Sequence, residues 1–156
     1  MKTLLLMRHG EAVENTPYTD KLRPLTDLGR QQAHAVGLHL QQKSCLPNLI
    51  YVSTAERTQQ TCHAVTQDLS TQPTIEAHDS IYHADLDILQ GLLDNTAPHI
   101  NTLMIIGHNP SISHFANHLA KKSIPPFSPA TCCALQFPVE TWLAIASQSG
   151  TLAFER

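Results

Sequence analysis

Three short apolar runs constrain this chain most: Thr3-Leu4-Leu5-Leu6-Met7, Leu49-Ile50-Tyr51-Val52-Ser53 and Thr102-Leu103-Met104-Ile105-Ile106. Each has the length of a strand, and the first lacks the polar alternation of a half-exposed one, so it reads as a strand covered on both faces near the centre of a sheet. Helical patterns separate them. Thr26 is placed to cap a helix whose Ala33, Val36 and Leu40 recur at helical spacing to about Lys43. Ala55 to Leu69 carries Cys62, Val65 and Leu69 on one face, and Gln72-Pro73 ends that unit. Thr74 to Ala77 reads as a short strand, and Asp85 as the cap of a helix bearing Leu86, Leu89, Leu92 and Leu93 to about Asp94. Gly107 to Pro110 turns the third apolar run into a helix from about Ser111 to Ala120, followed by a loop with Pro125, Pro126 and Pro129. The tail adds two or three strands, Cys132 to Phe137, Trp142 to Ser147 and Thr151 to Phe154. Strands alternating with helices, then strands alone, predict a three-layer α/β sandwich with a mainly parallel central sheet and an antiparallel edge. One domain over 1–156 accounts for the whole pattern.

The formal net charge of -3 gives no general attraction to nucleic acid or anionic lipid, so a bound anion must be held by local charge. The N-terminal apolar run meets Arg8 at once and has no small-residue cleavage pattern; it reads as neither signal peptide nor membrane span, which leaves the cytoplasm as the expected location. Cys45, Cys62, Cys132 and Cys133 form no C-x-x-C pair and read as reduced, mostly buried thiols; Cys132 and Cys133, neighbours in a strand, point to opposite faces. His114 and His118 form an H-x-x-x-H pair, but Phe115 stands where a zincin glutamate would be and no third ligand is evident, so no metal is expected.

Polar residues that are costly to bury sit at the ends of the strands. The first ends in Arg8-His9-Gly10, the second leads through Ser53 to Arg57, and the third ends in Gly107-His108-Asn109-Pro110. In a parallel sheet the carboxyl ends of neighbouring strands open into one crevice, which would bring two arginines and two histidines together. Guanidinium and imidazole donors with no acid among their closest members suit a dianion such as a phosphoryl group.

These segments resemble the histidine phosphatase superfamily, whose hallmark is R-H-G at the end of the first strand. The likeness extends to P-L-T-x-x-G at Pro24 to Gly29, S-x-A-x-R-T-x-Q-T at Ser53 to Thr61 and G-H-N-P at Gly107 to Pro110, in the family's order. The short length and the R-P-L-T form at Arg23 to Thr26 are most similar to the small SixA-type phosphohistidine phosphatases. The resemblance implies a phosphoglycerate mutase-like fold and a phosphatase that forms a covalent phosphohistidine on His9, without metal or other cofactor. A neutral imidazole is a good nucleophile toward phosphorus, and neighbouring guanidiniums disfavour its protonation. Arg8 and Arg57 would present donor forks to the phosphoryl oxygens, and His108 would donate further, as an imidazolium once the dianion is bound. The resemblance puts Arg23 at the pocket rim, although an arginine before proline also reads as solvated surface. It puts Asn15 at a spacing used for phosphate contact. Gly10 would let the backbone approach the phosphate, Asn109 would border it, and Ser53 would orient an arginine.

One segment departs from the family pattern. Ile81-Tyr82-His83 stands where phosphomonoesterases and mutases carry a glutamate proton donor. A phosphoramidate P–N bond breaks once its nitrogen is protonated, whereas an alkoxide needs an acid, so a weak donor suits phosphohistidine. Asp85, Glu11 and His83 are the candidates for a residual acid, and Asp85 reads first as a helix cap. No stretch is long enough for an inserted lid, which predicts a shallow, open pocket. The expected partner is thus a phosphorylated protein, such as a histidine phosphotransfer domain, acted on by a monomer. A small-molecule phosphomonoesterase and a phosphate-binding module without turnover are the alternatives.

Overall fold

The computed structural model describes every residue except Asn15 and Tyr18. Six strands, β1 (Lys2–Arg8), β2 (Leu49–Ser53), β3 (Thr74–His78), β4 (Thr102–Gly107), β5 (Cys132–Phe137) and β6 (Thr151–Glu155), form one sheet in the order β3-β2-β4-β1-β5-β6. The first four in that order run parallel, while β5 is antiparallel to both β1 and β6. The fold is the predicted α/β sandwich with an antiparallel edge. Helices α1 (Asp27–Gln42), α2 (Glu56–Thr66), α3 (Leu86–Asp94) and α4 (Ser111–Leu119) cover its two faces.

The unbroken apolar runs are explained by this double covering. Leu4 and Leu6 of β1, with Leu103 and Ile105 of β4, pack under α3 and α4 against Leu89, Leu93, Phe115 and Leu119. Leu5, Met7, Met104 and Ile106 point the other way, toward Ala33, Val36 and Leu40 of α1 and Val65 of α2. Both sets are removed from water, so successive residues of a strand are apolar on either side. Cys133 and Cys132 divide between the same two clusters, as expected for neighbours in a strand. Where α1 crosses α2, a Cβ on Gly37 would lie 2.1 Å from the Val65 carbonyl oxygen, so only glycine allows that approach.

The caps act as read from the sequence. Thr26 accepts from the Gly29 N–H and Asp85 from the Ile88 N–H. Helix α2 stops at Thr66, before Leu69, with the Thr66 hydroxyl bonded back to the Cys62 carbonyl.

One expected strand is absent among the described residues. Residues 142–147 begin with a 3-10 turn, Trp142–Ala144, and β5 pairs directly with β6. Trp142 and Ile145 are buried three residues apart while Leu143 is 70% exposed, a period of three and not two. The Trp142 indole N–H donates to the Ile100 carbonyl, which anchors the turn over the start of β1. There the buried Lys2 ammonium donates to the carbonyls of Pro98 and Ile100 and to the Asn101 side chain. No helix among the described residues is long and apolar enough to cross a membrane.

Candidate active site

The register of the sheet brings the three polar strand ends to one edge. Arg8 pairs with Gly107 across β1 and β4, and Val52 with Ile106 across β2 and β4, so Ser53 falls level with Arg8 and Gly107, and His9 and His108 follow one residue on. A cavity of about 240 Å³ opens there, bordered by Arg8, His9, Arg23, Arg57, His108, Asn109 and Glu11 of the predicted set. Ala12, Glu14 and Pro129 complete its wall.

His9 is 8% exposed. Its Nδ1 lies 2.7 Å from the Gly10 carbonyl oxygen, which only accepts, so Nδ1 carries the proton and Nε2 the lone pair. The Arg57 Nε–H points at that lone pair from 3.3 Å. Burial, with Arg57, Arg8 and Arg23 nearby, holds the ring's pKa down at about 4 despite the Gly10 hydrogen bond, so the imidazole is neutral at neutral pH.

The motif spacings of the sequence become hydrogen bonds around this ring. The Gly10 N–H donates to Thr61 Oγ1 (3.1 Å), the Thr61 hydroxyl to the Arg57 carbonyl (2.7 Å), and the Leu25 N–H to Gln60 Oε1 (2.8 Å). The loop after β1, the Pro24–Gly29 segment and the start of α2 are thereby tied together. Gly10 differs from expectation. Both of its backbone polar groups are used inside the protein, and a Cβ there would sit 2.5 Å from the Gly29 carbonyl oxygen. Its missing side chain makes room for α1, not for a ligand.

Arg57, on the first turn of α2 and 6% exposed, also donates from Nη1 to the Asp20 carbonyl (2.8 Å) and from Nη2 to Asp20 Oδ2 (3.1 Å). Arg23 donates from Nε to Asp20 Oδ1 (3.0 Å) and from Nη1 to the Val13 carbonyl (2.9 Å), which draws it to the cavity wall. Arg8 donates to the Phe127 carbonyl (2.9 Å), and its Nε is buried without a partner among the described residues. Asn109 donates to the same carbonyl (2.7 Å) and accepts from Ser113 (2.6 Å), so it braces the loop behind Arg8 while bordering the cavity.

His108, at the end of β4, has its ring centre 5.4 Å from that of His9. Its Nε2 lies 2.8 Å from Ser53 Oγ, which accepts from the Ala55 N–H at 3.3 Å. The Ser53 proton is therefore best donated to His108 Nε2, which leaves the hydrogen on Nδ1, a buried atom without a partner among the described residues. Ser53 orients a histidine, not an arginine. Burial, then the Arg57 charge, lowers the His108 pKa to about 3, so without a bound dianion the ring is neutral.

The acid candidates separate. Asp85 is exposed, caps α3 and does not border the cavity, so its helix-capping role stands and its placement at the site does not. His83 is exposed against the Tyr82 ring. Glu11 borders the cavity and accepts from the Thr26 hydroxyl at 2.9 Å. Asn15 lies outside the described residues. Sequence reasoning missed Asp20, Tyr82 and Glu14; an aspartate three residues before Arg23 was the one available signal for the first. Among the described residues no three His, Cys, Asp or Glu side chains are grouped to hold a metal ion. A neutral imidazole that keeps its lone pair on Nε2, in a cavity bordered by three guanidiniums, can attack the central atom of a tetrahedral dianion bound there.

Comparison with known proteins bears on the family and the fold. A search of curated proteins returns no match. Among solved structures, a Nakamurella multipartitia protein assigned as the phosphohistidine phosphatase SixA superposes with a TM-score of 0.84 at 25% identity, covering 99% of this chain and 95% of that one. The protein histidine phosphatase SixA complexed with tungstate gives 0.84 at 20% identity over 98% and 95%. A mycobacterial glucosyl-3-phosphoglycerate phosphatase gives 0.73 at 15% over 94% and 96%. The histidine phosphatase superfamily (branch 1) matches residues 4–123, a span that runs from the core of β1 past α4 and takes in all four motif segments, and the chain belongs to that family.

Proposed function

We propose that this protein is a metal-independent phosphatase that passes a phosphoryl group through His9 and that its substrate is phosphohistidine on another protein. The observation that carries the reading is the His9 tautomer: Nδ1–H is committed to the Gly10 carbonyl, so Nε2 keeps its lone pair among the guanidiniums. In the first step Nε2 bonds to phosphorus as the bond to the leaving nitrogen breaks, and that nitrogen, protonated from solvent at the mouth of the cavity, departs as a neutral imidazole. In the second, water takes the phosphoryl group and restores His9. Arg8, Arg57 and Arg23 neutralise the oxygens, and the unpartnered Arg8 Nε and His108 Nδ1 are donors whose cost is relieved when an anion accepts from them. Removing one such donor slows turnover by roughly a hundredfold.

The cavity supports the substrate class. At about 240 Å³ it is smaller than the ~300–1,000 Å³ typical of small-ligand sites, so it holds a phosphoryl group and a ring better than a whole metabolite. A phosphoprotein buries the rest of its contact outside the cavity. A second reading, a small-molecule phosphomonoesterase, is favoured by Glu11 and Glu14 on the cavity wall, either of which could protonate an ester oxygen. A panel of phosphohistidine proteins, sugar phosphates and nucleotides decides between them. The first reading expects the phosphoprotein to turn over fastest by kcat/KM; sugar phosphates or nucleotides far ahead of it would establish the second.

A further inference from the structure

Asp20 carries more of this site than its place on an exposed turn suggests. It begins the 3-10 turn Asp20–Leu22 with its side chain 55% exposed, yet its Oδ1 accepts from Arg23 and its Oδ2 from both Arg57 and the Tyr82 hydroxyl. Its main-chain carbonyl accepts from Arg57 as well. Both Nη groups of Arg57 are thus spent on one residue, and the Nε edge is the one left facing His9. Tyr82 is anchored in turn: its ring meets His108 edge-on at 5.5 Å, and the Arg57 guanidinium lies over it at 5.9 Å. With Asp20 more than half exposed, water screens its charge, so the convergence of three donors on it needs another reason.

We propose that Asp20, locked by the Tyr82 hydroxyl, is a positioning residue for phosphoryl transfer, selecting the Nε edge of Arg57 as the one presented to His9 and to the incoming phosphoryl oxygens. The inference rests on the assignment of His9 as nucleophile. Three guanidiniums crowd one cavity, and without the carboxylate Arg57 and Arg23 would repel each other and separate. If Asp20 acted by charge alone, its loss would strengthen the positive field on His9. If it acts through position, loss of its carboxylate leaves Arg57 held by Asp20 through Nη1 on the main-chain carbonyl alone, and the guanidinium can swing away from His9. The groups facing His9 are Arg8 from β1, His108 from β4, Arg57 from α2, and Glu11, Glu14 and Arg23 from the loops beside it. Of these, Arg57 alone is held by Asp20 through both Nη groups.

The two cases differ in sign, so the test is a nitrogen NMR titration of His9 in the full-length protein, alongside kcat and KM for para-nitrophenyl phosphate. Asp20→Ala is expected to raise the His9 midpoint by roughly half a pH unit or more as a like charge withdraws. It is also expected to lower kcat about tenfold while KM changes by less than about threefold. Asp20→Asn, which keeps an acceptor oxygen, should stay within about threefold of the parent, and Tyr82→Phe should move both readouts the same way by less. On an Arg57→Ala background Asp20→Ala should cost nothing further. An unchanged or lowered His9 midpoint in Asp20→Ala, or an equal loss of kcat with and without Arg57, overturns the proposal. Absence of His9-dependent turnover in the parent would defeat the nucleophile assignment instead, and the titration would still decide for or against Asp20.

Discussion

Acid should destabilise this protein through His9 in an amount that the site itself sets. The folded ring titrates at about 4, held down first by burial and then by the arginines, against 6.5 when free. Between those values the unfolded chain binds a proton that the folded one refuses, so the contribution is fully present above about pH 6.5 and is lost as the pH falls toward 4. At about pH 7.5 the two states are equally deprotonated; at about pH 4.5 the difference has grown to about 2.5 kcal/mol. Urea unfolding of the parent and of His9→Gln, measured across that range, reads the effect, with His108, whose ring feels the His9 charge, the one neighbour whose titration also changes. The parent should lose about 2.5 kcal/mol more than the variant between the two ends. Curves that stay parallel within about 0.5 kcal/mol would refute the buried, neutral imidazole. His108, lowered to about 3, should behave the same way in His108→Gln. The two rings lie 5.4 Å apart and interact, so the double variant should fall short of the sum.

Three other substitutions probe separate links. Ser53→Ala removes the hydroxyl that orients His108 from 2.8 Å and should lower kcat on an aryl phosphate about tenfold with a normal circular dichroism spectrum. Gly29→Ala would place a methyl 2.1 Å from the Glu11 carbonyl oxygen, a backbone clash with no rotamer to relieve it, and should cost about 3 kcal/mol in urea unfolding. Lys2→Met strips the buried carbonyls of Pro98 and Ile100 of their ammonium donor at the far end of β1, and should cost about 2 kcal/mol in thermal or urea unfolding while kcat is unchanged.

The layers of the fold were legible because burial on both sides leaves an unmistakable mark on β1, β2 and β4, and because Thr26 and Asp85 cap their helices locally. The meeting of Arg8, His9, Arg57 and His108 followed from the rule for parallel strand ends. What the sequence hid depends on contacts between distant segments. The 3-10 turn at Trp142 is set by an indole reaching Ile100, and a five-residue apolar stretch does not reveal whether its period is two or three. Gly10 looked like a ligand-binding glycine because its true neighbour, Gly29, lies nineteen positions on. Ser53 holds His108 and Tyr82 holds Asp20 across 55 and 62 positions, a reach that no local pattern encodes.

The central claim is that His9 Nε2 becomes bonded to phosphorus. Mixing the protein with a labelled aryl phosphate, quenching without acid within milliseconds and sequencing the peptides by mass spectrometry tests it directly. The label should sit on the peptide carrying His9, survive alkali, be released by mild acid and be missing from His9→Ala, which should also be inactive. Label on a different side chain, or turnover by His9→Ala, would contradict the account.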